Sequence, residues 1–339
     1  MATRAAAGVA VITMFGLAGC GSSSSGSTKS AAGGASSVAG KQVTLVHCGD
    51  VNPWCAVYNK TIIKGLQAKG VKVTYLQDPF DVSLEIQNLQ SAIASHPNLI
   101  LVSPTDDDSL VPSLQQAKAQ NVPVIIDNSR PAAAAVNDVS ATIDADQSSL
   151  GTYAAQNIVE GLKAEGRTSG NIIAITGADA TATSGDRMTA FKAELAKYPS
   201  YKLVEVKNGN WDPALTGKIA SQLFAQYQSK GGIQAAYGMA DYMANAVIQS
   251  AQQAGLPLGV AKKGLIVTGS NCFKVGIDNI QSGKQFGTAT QAPDAEGQFV
   301  VQWALKFLQG DKIPKTNLNK EYRVTDKNVA QYAAACSKA

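Results

Sequence analysis

The chain has 339 residues, 29 Lys and Arg against 25 Asp and Glu, and a net charge of +4 with histidine neutral. So small and dispersed a charge excludes nucleic acid or an anionic surface as a partner selected by electrostatics. The two histidines stand at no ligand spacing from the five cysteines, and no GxSxG, GxxxxGK[ST] or HExxH motif occurs, so neither a metal nor a cofactor nor a catalytic residue is assigned.

The first 19 residues begin MATR and contain an apolar run at 5–15. That run is short of the about 20 residues that span a bilayer and suits a signal peptide. The sequence LAGC at 17–20 resembles the bacterial lipobox, in which cleavage before the cysteine leaves a lipid-modified Cys20 as the first residue. Residues 20–40 are that cysteine followed by GSSSSGSTKSAAGGASSVAG at 21–40, a Ser, Gly and Ala tract that reads as a flexible tether. An exported protein, lipid-anchored to the outer face of the cytoplasmic membrane, is expected.

The body after residue 40 is long enough for two domains. Runs at 42–47, 71–76, 98–103 and 122–127 are short, rich in β-branched residues and bounded by turn formers, the pattern of buried strands. Between them Val82, Ile86, Leu89 and Ile93 fall at helical spacing behind a cap at Asp81, and 109–120 reads likewise. The alternation restarts with strands at 139–144, 171–176, 202–207, 233–239 and 264–270, interleaved with helices. The fold class is therefore α/β, with two doubly wound parallel-sheet domains. Trp303 shares a helical face with Val300 and Phe307 and reads as core.

Ligands of such sheets bind beyond the carboxyl ends of the strands. There stand Asn52 and Trp54, Asp106 to Asp108, Asp127 and Asn128, Gly177 to Arg187, Asn210 and Trp211, Ala240 and Asp241, and Ser270 and Asn271. Two tryptophans among turn formers, with amides and carboxylates and no nucleophile and base, suit a sugar or polyol, since aromatic faces cover C–H faces while planar polar groups pair with hydroxyls. Asp106 to Asp108 read as helix caps, Arg187 as either a ligand contact or a tie between its helix and its domain, and Asp241 as either a cap or a pocket residue. With Cys20 lipidated, four cysteines remain. They allow three pairings; Cys48 with Cys55, seven apart across a turn, is favoured and leaves Cys272 with Cys336.

The order of these pieces resembles the type I periplasmic binding protein family, the ribose-binding-protein-like solute receptors of ABC importers. The matching segments are NPW at 52–54, LVSPTDDDSLVPSLQQA at 101–117, NVPVIIDN at 121–128, DRMTAF at 186–191, NWD at 210–212, GSN at 269–271 and TQAP at 290–293. The resemblance implies two lobes joined by a three-segment hinge, crossing near Ile143, near Gln291 and within 313–322. The N-terminal lobe is placed at 41–143 plus 292–312 and the C-terminal lobe at 144–290 plus 320–339. It implies ligand contacts from Asn52, Trp54, Asp127, Asn128, Trp211, Asn271 and Gln291, a small sugar or polyol as ligand, a membrane ABC permease as partner, and a monomer without enzymatic activity. A sensory protein presenting the same ligand class to a membrane receptor or kinase is the alternative. Where ribose binders often carry arginines this chain has Asn128 and Gly185, and where they carry a second aromatic it has Cys55, so ribose itself is not expected.

Overall fold

The computed structural model describes residues 37–336; the signal segment, most of the tether and the lipidation expected at Cys20 lie outside the described residues. Strand β1 (Gln42–Cys48) buries six of its seven residues, as a parallel strand covered on both faces must. Helix α1 (Pro53–Gln67) starts at Asn52, whose side chain accepts from the backbone N–H groups of Trp54 and Cys55, while Pro53 supplies a helical φ without needing a donor. There follow β2 (Lys72–Asp78), α2 (Val82–Ala94), β3 (Leu99–Val102), α3 (Val111–Ala119), β4 (Val124–Asp127) and β5 (Ala141–Ala145). The second series is α4 (Gln147–Ala164), β6 (Gly170–Thr176), α5 (Ala182–Leu195), β7 (Tyr201–Asn208), α6 (Pro213–Tyr227), β8 (Ala235–Gly238), α7 (Asp241–Gln253), β9 (Ile266–Thr268), α8 (Lys274–Gln281) and β10 (Gly287–Ala289). The chain ends with α9 (Pro293–Gln309), β11 (Thr316–Asn319), β12 (Arg323–Thr325) and α10 (Val329–Cys336).

Two six-stranded sheets result, ordered β11-β5-β4-β3-β1-β2 and β12-β10-β9-β8-β6-β7. Every pairing is parallel except that of β12 with β10. Each sheet reverses its strand order beside its first strand, which opens a crevice at the carboxyl ends where a ligand can sit. The chain passes from one sheet to the other after β5, after β10 and after β11. Helix α9 packs on α1 and β5, whereas α4 packs on α5, β9 and β10. Because β11 pairs with β5, the first lobe's return segment runs on past residue 312 to Asn319; the polar run TNLN gave no apolar signal.

The cysteines are bonded as Cys48–Cys55, Cα atoms 6.0 Å apart, and Cys272–Cys336, 5.1 Å apart. The second bridge lies in a small apolar cluster with Ile277, Ile280, Val324 and Val329, fastening α10 to α8. Trp303 is half-buried at the edge of the first-lobe core, packed against the cluster that holds Val300 and Leu308, edge-on to Phe299 with Lys306 over its ring.

Candidate functional site

The carboxyl ends of the two sheets enclose a cavity of about 50 Å³. The first lobe lines it with Cys48, Asn52, Trp54, Cys55, Phe80, Ser103, Pro104 and Asn128; the second contributes Thr181, Thr183, Arg187, Trp211, Tyr242 and Asn271. Trp54 stands on the first turn of α1 rather than on a loop, because the Asn-Pro pair before it caps and starts the helix. Its indole packs on Tyr58, ring centroids 4.3 Å apart, and its Nε1 donates to the Gln291 carbonyl across the lobes at 3.3 Å. Trp211 lies against the backbone of Gly177, where a Cβ would come within 1.9 Å of the indole Cε2. Asn128, Trp211, Asn271 and Gln291 all have left-handed backbones, with φ of 52°, 56°, 82° and 112°. Such conformations cost energy in residues other than glycine and concentrate where the surrounding fold fixes a site.

Arg187 organises the polar floor. It is 1% exposed, and its Nε donates to Gln147 Oε1 at 2.8 Å. Its Nη1 reaches the Met239 carbonyl at 3.0 Å and Asn271 Oδ1 at 3.3 Å, and its Nη2 reaches Gln291 Oε1. Asn271 Nδ2 also donates to Gln291 Oε1 at 2.6 Å, and Gln291 Nε2 donates to Asn128 Oδ1 at 3.1 Å. Gln291 is thus a tie behind the cavity rather than part of its lining. Burial lowers the guanidinium pKa, with the field of Tyr237 and then Asp144 acting the other way.

Further contacts hold the lobes closed. Thr183 Oγ1 donates to the Asn128 carbonyl at 2.9 Å, and Asn52 Nδ2 to the Tyr242 hydroxyl at 3.3 Å. Arg130 makes a two-point ion pair with Asp186, at 2.8 and 3.0 Å. Asp107 accepts from the Ala182 N–H at the start of α5, and burial pushes its carboxyl up to about 6.

Asp127, like Gln291, is an expected contact that does not line the cavity. It is fully buried and accepts from the Tyr58 hydroxyl and from His47 Nε2, the latter at 3.0 Å. Asn59 donates to the Cys48 carbonyl through Nδ2, so its Oδ1 faces His47 Nδ1 at 2.9 Å. Both imidazole nitrogens then donate, and His47 is an imidazolium paired with Asp127. Burial lowers the His47 pKa, but Asp127 and Asn59 raise it by more, and the net shift is upward. Asp241 is also buried and outside the lining; it receives the Phe273 N–H at 2.9 Å, Gln285 Nε2 at 2.7 Å and Thr288 Oγ1 at 2.9 Å. Burial pushes its carboxyl up to about 7. Asp106 caps the turn before α3 through the N–H groups of Asp108 and Ser109. Among the described residues no acidic, histidine and cysteine cluster could hold a metal.

Sequence reasoning placed the segment 177–187, with Thr181, Thr183 and Arg187, at the strand ends but singled out none of these three as contacts, and it passed over Tyr242, Ser103 and Phe80. Only Tyr242 carried a usable signal, an aromatic on the first turn of a helix directly after a strand.

The chain belongs to the family described as the periplasmic binding protein domain, whose model matches residues 43–312. It is 23% identical to the ribose import binding protein RbsB of Escherichia coli K12 over 77% of this chain and 83% of that one. It is 23% identical to the xylitol-binding protein of Mycolicibacterium smegmatis over 78% and 71%. In structure it resembles the myo-inositol binding protein of Caulobacter, with a TM-score of 0.79 at 20% identity over 88% of this chain and 97% of that one. The fold is that of the type I periplasmic binding proteins.

Proposed function

We propose that this protein is a lipid-anchored receptor that closes its two lobes on a small polyhydroxylated solute, of the sugar or polyol class, and delivers it to an ABC permease. The observation that carries the reading is the cavity at the meeting of the lobes, lined by Trp54 and Trp211, one indole from each lobe, together with amides and hydroxyls. The relatives named for ribose and xylitol support the ligand class, and their family, which binds solutes outside the cytoplasm, supports the absence of turnover. A solute touching both lobes favours the closed state because only there are all its contacts made.

A ligand at 100 times its dissociation constant adds about 2.7 kcal/mol of apparent stability. Melting-temperature screens of pentoses, hexoses, deoxysugars, linear polyols, cyclitols and the acids of these sugars should therefore find it. Titration of the hit against Trp54→Ala and Trp211→Ala should show losses of about 1–3 kcal/mol each. A well-folded protein that no polyhydroxylated compound stabilises would end this reading. For the anchor, lipid labelling that persists in Cys20→Ala would count against the lipobox.

A further inference from the structure

The polar valences left free in the cavity are unbalanced. Arg187 must donate, which fixes Oδ1 of Asn271 and Oε1 of Gln291 as acceptors. With Gln291 so oriented its Nε2 donates, and Asn128 Oδ1 must accept. At the opposite wall Asn52 Oδ1 is held by the N–H groups of Trp54 and Cys55. Every side-chain amide oxygen around the cavity is therefore already engaged by a protein donor. The amides therefore turn donors to the cavity, both N–H groups of Asn128 Nδ2 and one of Asn271 Nδ2, beside the cation of Arg187, and the acceptors left are neutral: the hydroxyls of Ser103, Thr181, Thr183 and Tyr242 and the second lone pairs of the Asn128 and Asn271 oxygens. No carboxylate lines the cavity. The one behind Arg187, Asp144, is reached only through Gln147, whose Nε2 donates to it at 2.7 Å, and Asp127 is neutralised by His47.

Each hydroxyl of a neutral polyol brings a proton that needs an acceptor, and the lining offers no charged one, only neutral hydroxyl and amide oxygens. A carboxylate brings acceptors only, and it supplies the negative charge that a guanidinium with four neutral hydrogen-bond partners lacks. Taking the proposed solute-binding role as given, we infer that the preferred ligand is a small polyhydroxylated acid, a hydroxy acid or sugar acid, whose carboxylate faces Arg187, Asn271 and Asn128. At about 50 Å³ the cavity has room for only a few water-sized groups, which favours the shorter acids.

The test is calorimetric titration of the purified full-length protein at pH 7.5 with matched pairs that differ only in the acid group: glycerol and glycerate, xylitol and xylonate, glucitol and gluconate. The acid of at least one pair should bind about tenfold tighter or more than its neutral partner. Asn271→Asp, which places a protein carboxylate on Arg187 Nη1, should abolish that preference, and Arg187→Gln should lower affinity for the acid more than for the polyol. Neutral partners that bind as tightly as the acids would overturn the inference and leave the solute-binding role standing, as would an acid preference untouched in the Asn271 variant. If no member of these pairs and no sugar in the broader screen binds, the role itself fails and the inference falls with it.

Discussion

The two lobes share one strand order but manage charge in opposite ways. Below the cavity the first lobe buries a complete ion pair, His47 with Asp127, and shows the ligand only neutral groups. The second lobe holds its own buried carboxylate, Asp241, with neutral donors alone, and turns its cation, Arg187, toward the cavity. The difference teaches that sheet topology places a site without deciding its chemistry. One lobe provides shape and closure, and the other provides the charge that a ligand can meet.

The same isosteric substitution in the two lobes should separate these roles most strongly. Asp127→Asn sets an amide N–H against His47 Nε2–H and leaves the imidazolium without its counter-ion, and breaking a buried pair on one side costs about 3–5 kcal/mol. Asp241→Asn replaces a carboxyl whose charge burial already disfavours, and its new N–H₂ can meet Gln285 Oε1, which has no hydrogen-bond partner now. We expect it to cost under about 1.5 kcal/mol at pH 8 in denaturant unfolding. The pH dependence adds a sign. Asp241, with a folded pKa of about 7 against 3.8, holds a proton in the folded state that the unfolded chain has released, so its contribution is full at low pH and is lost as pH rises through about 7. Asp144 and Glu321, each pushed up to about 7 by burial, act in the same direction. Stability should rise from pH 8 to pH 5, and less steeply in Asp241→Asn. Equal costs for the two substitutions, or a flat profile, would remove the distinction between the lobes.

How much of this was legible in the sequence follows the same division. Strands such as β1 and β4 announce themselves because burial on both faces demands continuous apolar residues, and the motif at 52–54 marks the start of α1 through its capping chemistry. Asp127 was expected at the ligand because its place at the end of β4 is right. Which way its side chain turns depends on His47 and Tyr58, brought to it from β1 and α1, and no local pattern records that. Arg187 was set aside because the corresponding residue of the resembling family is usually structural; that it also borders the cavity depends on partners 24 to 104 positions away along the chain, which no local pattern records. The β11 and β12 strands are three or four residues long and partly polar, below the length at which periodicity carries information.

A smaller effect should distinguish the loops that follow the first strand of each sheet. Gly49 and Gly177 stand directly after β1 and β6. A Cβ at Gly49 would meet Pro79 at an ordinary 3.4 Å, whereas at Gly177 it would strike the Trp211 ring at 1.9 Å. Overpacking of that kind typically costs about 1–3 kcal/mol. Because the ring is a wall of the cavity, Gly177→Ala should weaken binding of the solute found in the screen by about 10- to 100-fold. Gly49→Ala should bind it normally. Matching affinities in the two variants would mean that Trp211 does not shape the site.

The smallest effect concerns the rim, where the lobes do exchange charge directly. Arg130 of the first lobe grips Asp186 of the second with two hydrogen bonds, but their side chains are 54% and 30% exposed. Solvent screens such a pair, and exposed ion pairs are worth about 0.2–1 kcal/mol. The pair joins the closed lobes, so it acts on the closing equilibrium rather than on ligand contacts, and Arg130→Ala should weaken apparent affinity by no more than about fivefold. Its signature is ionic strength: raising salt from 0.05 to about 0.5 M should reduce the contribution of the rim pair and so narrow the gap between wild type and variant. Arg187 itself is buried, so its contacts are screened much less, and any salt effect common to both proteins reports on that buried charge. Titrations of both proteins at the two salt concentrations separate the two terms. A gap that persists unchanged at high salt would place the role of Arg130 in packing rather than in charge.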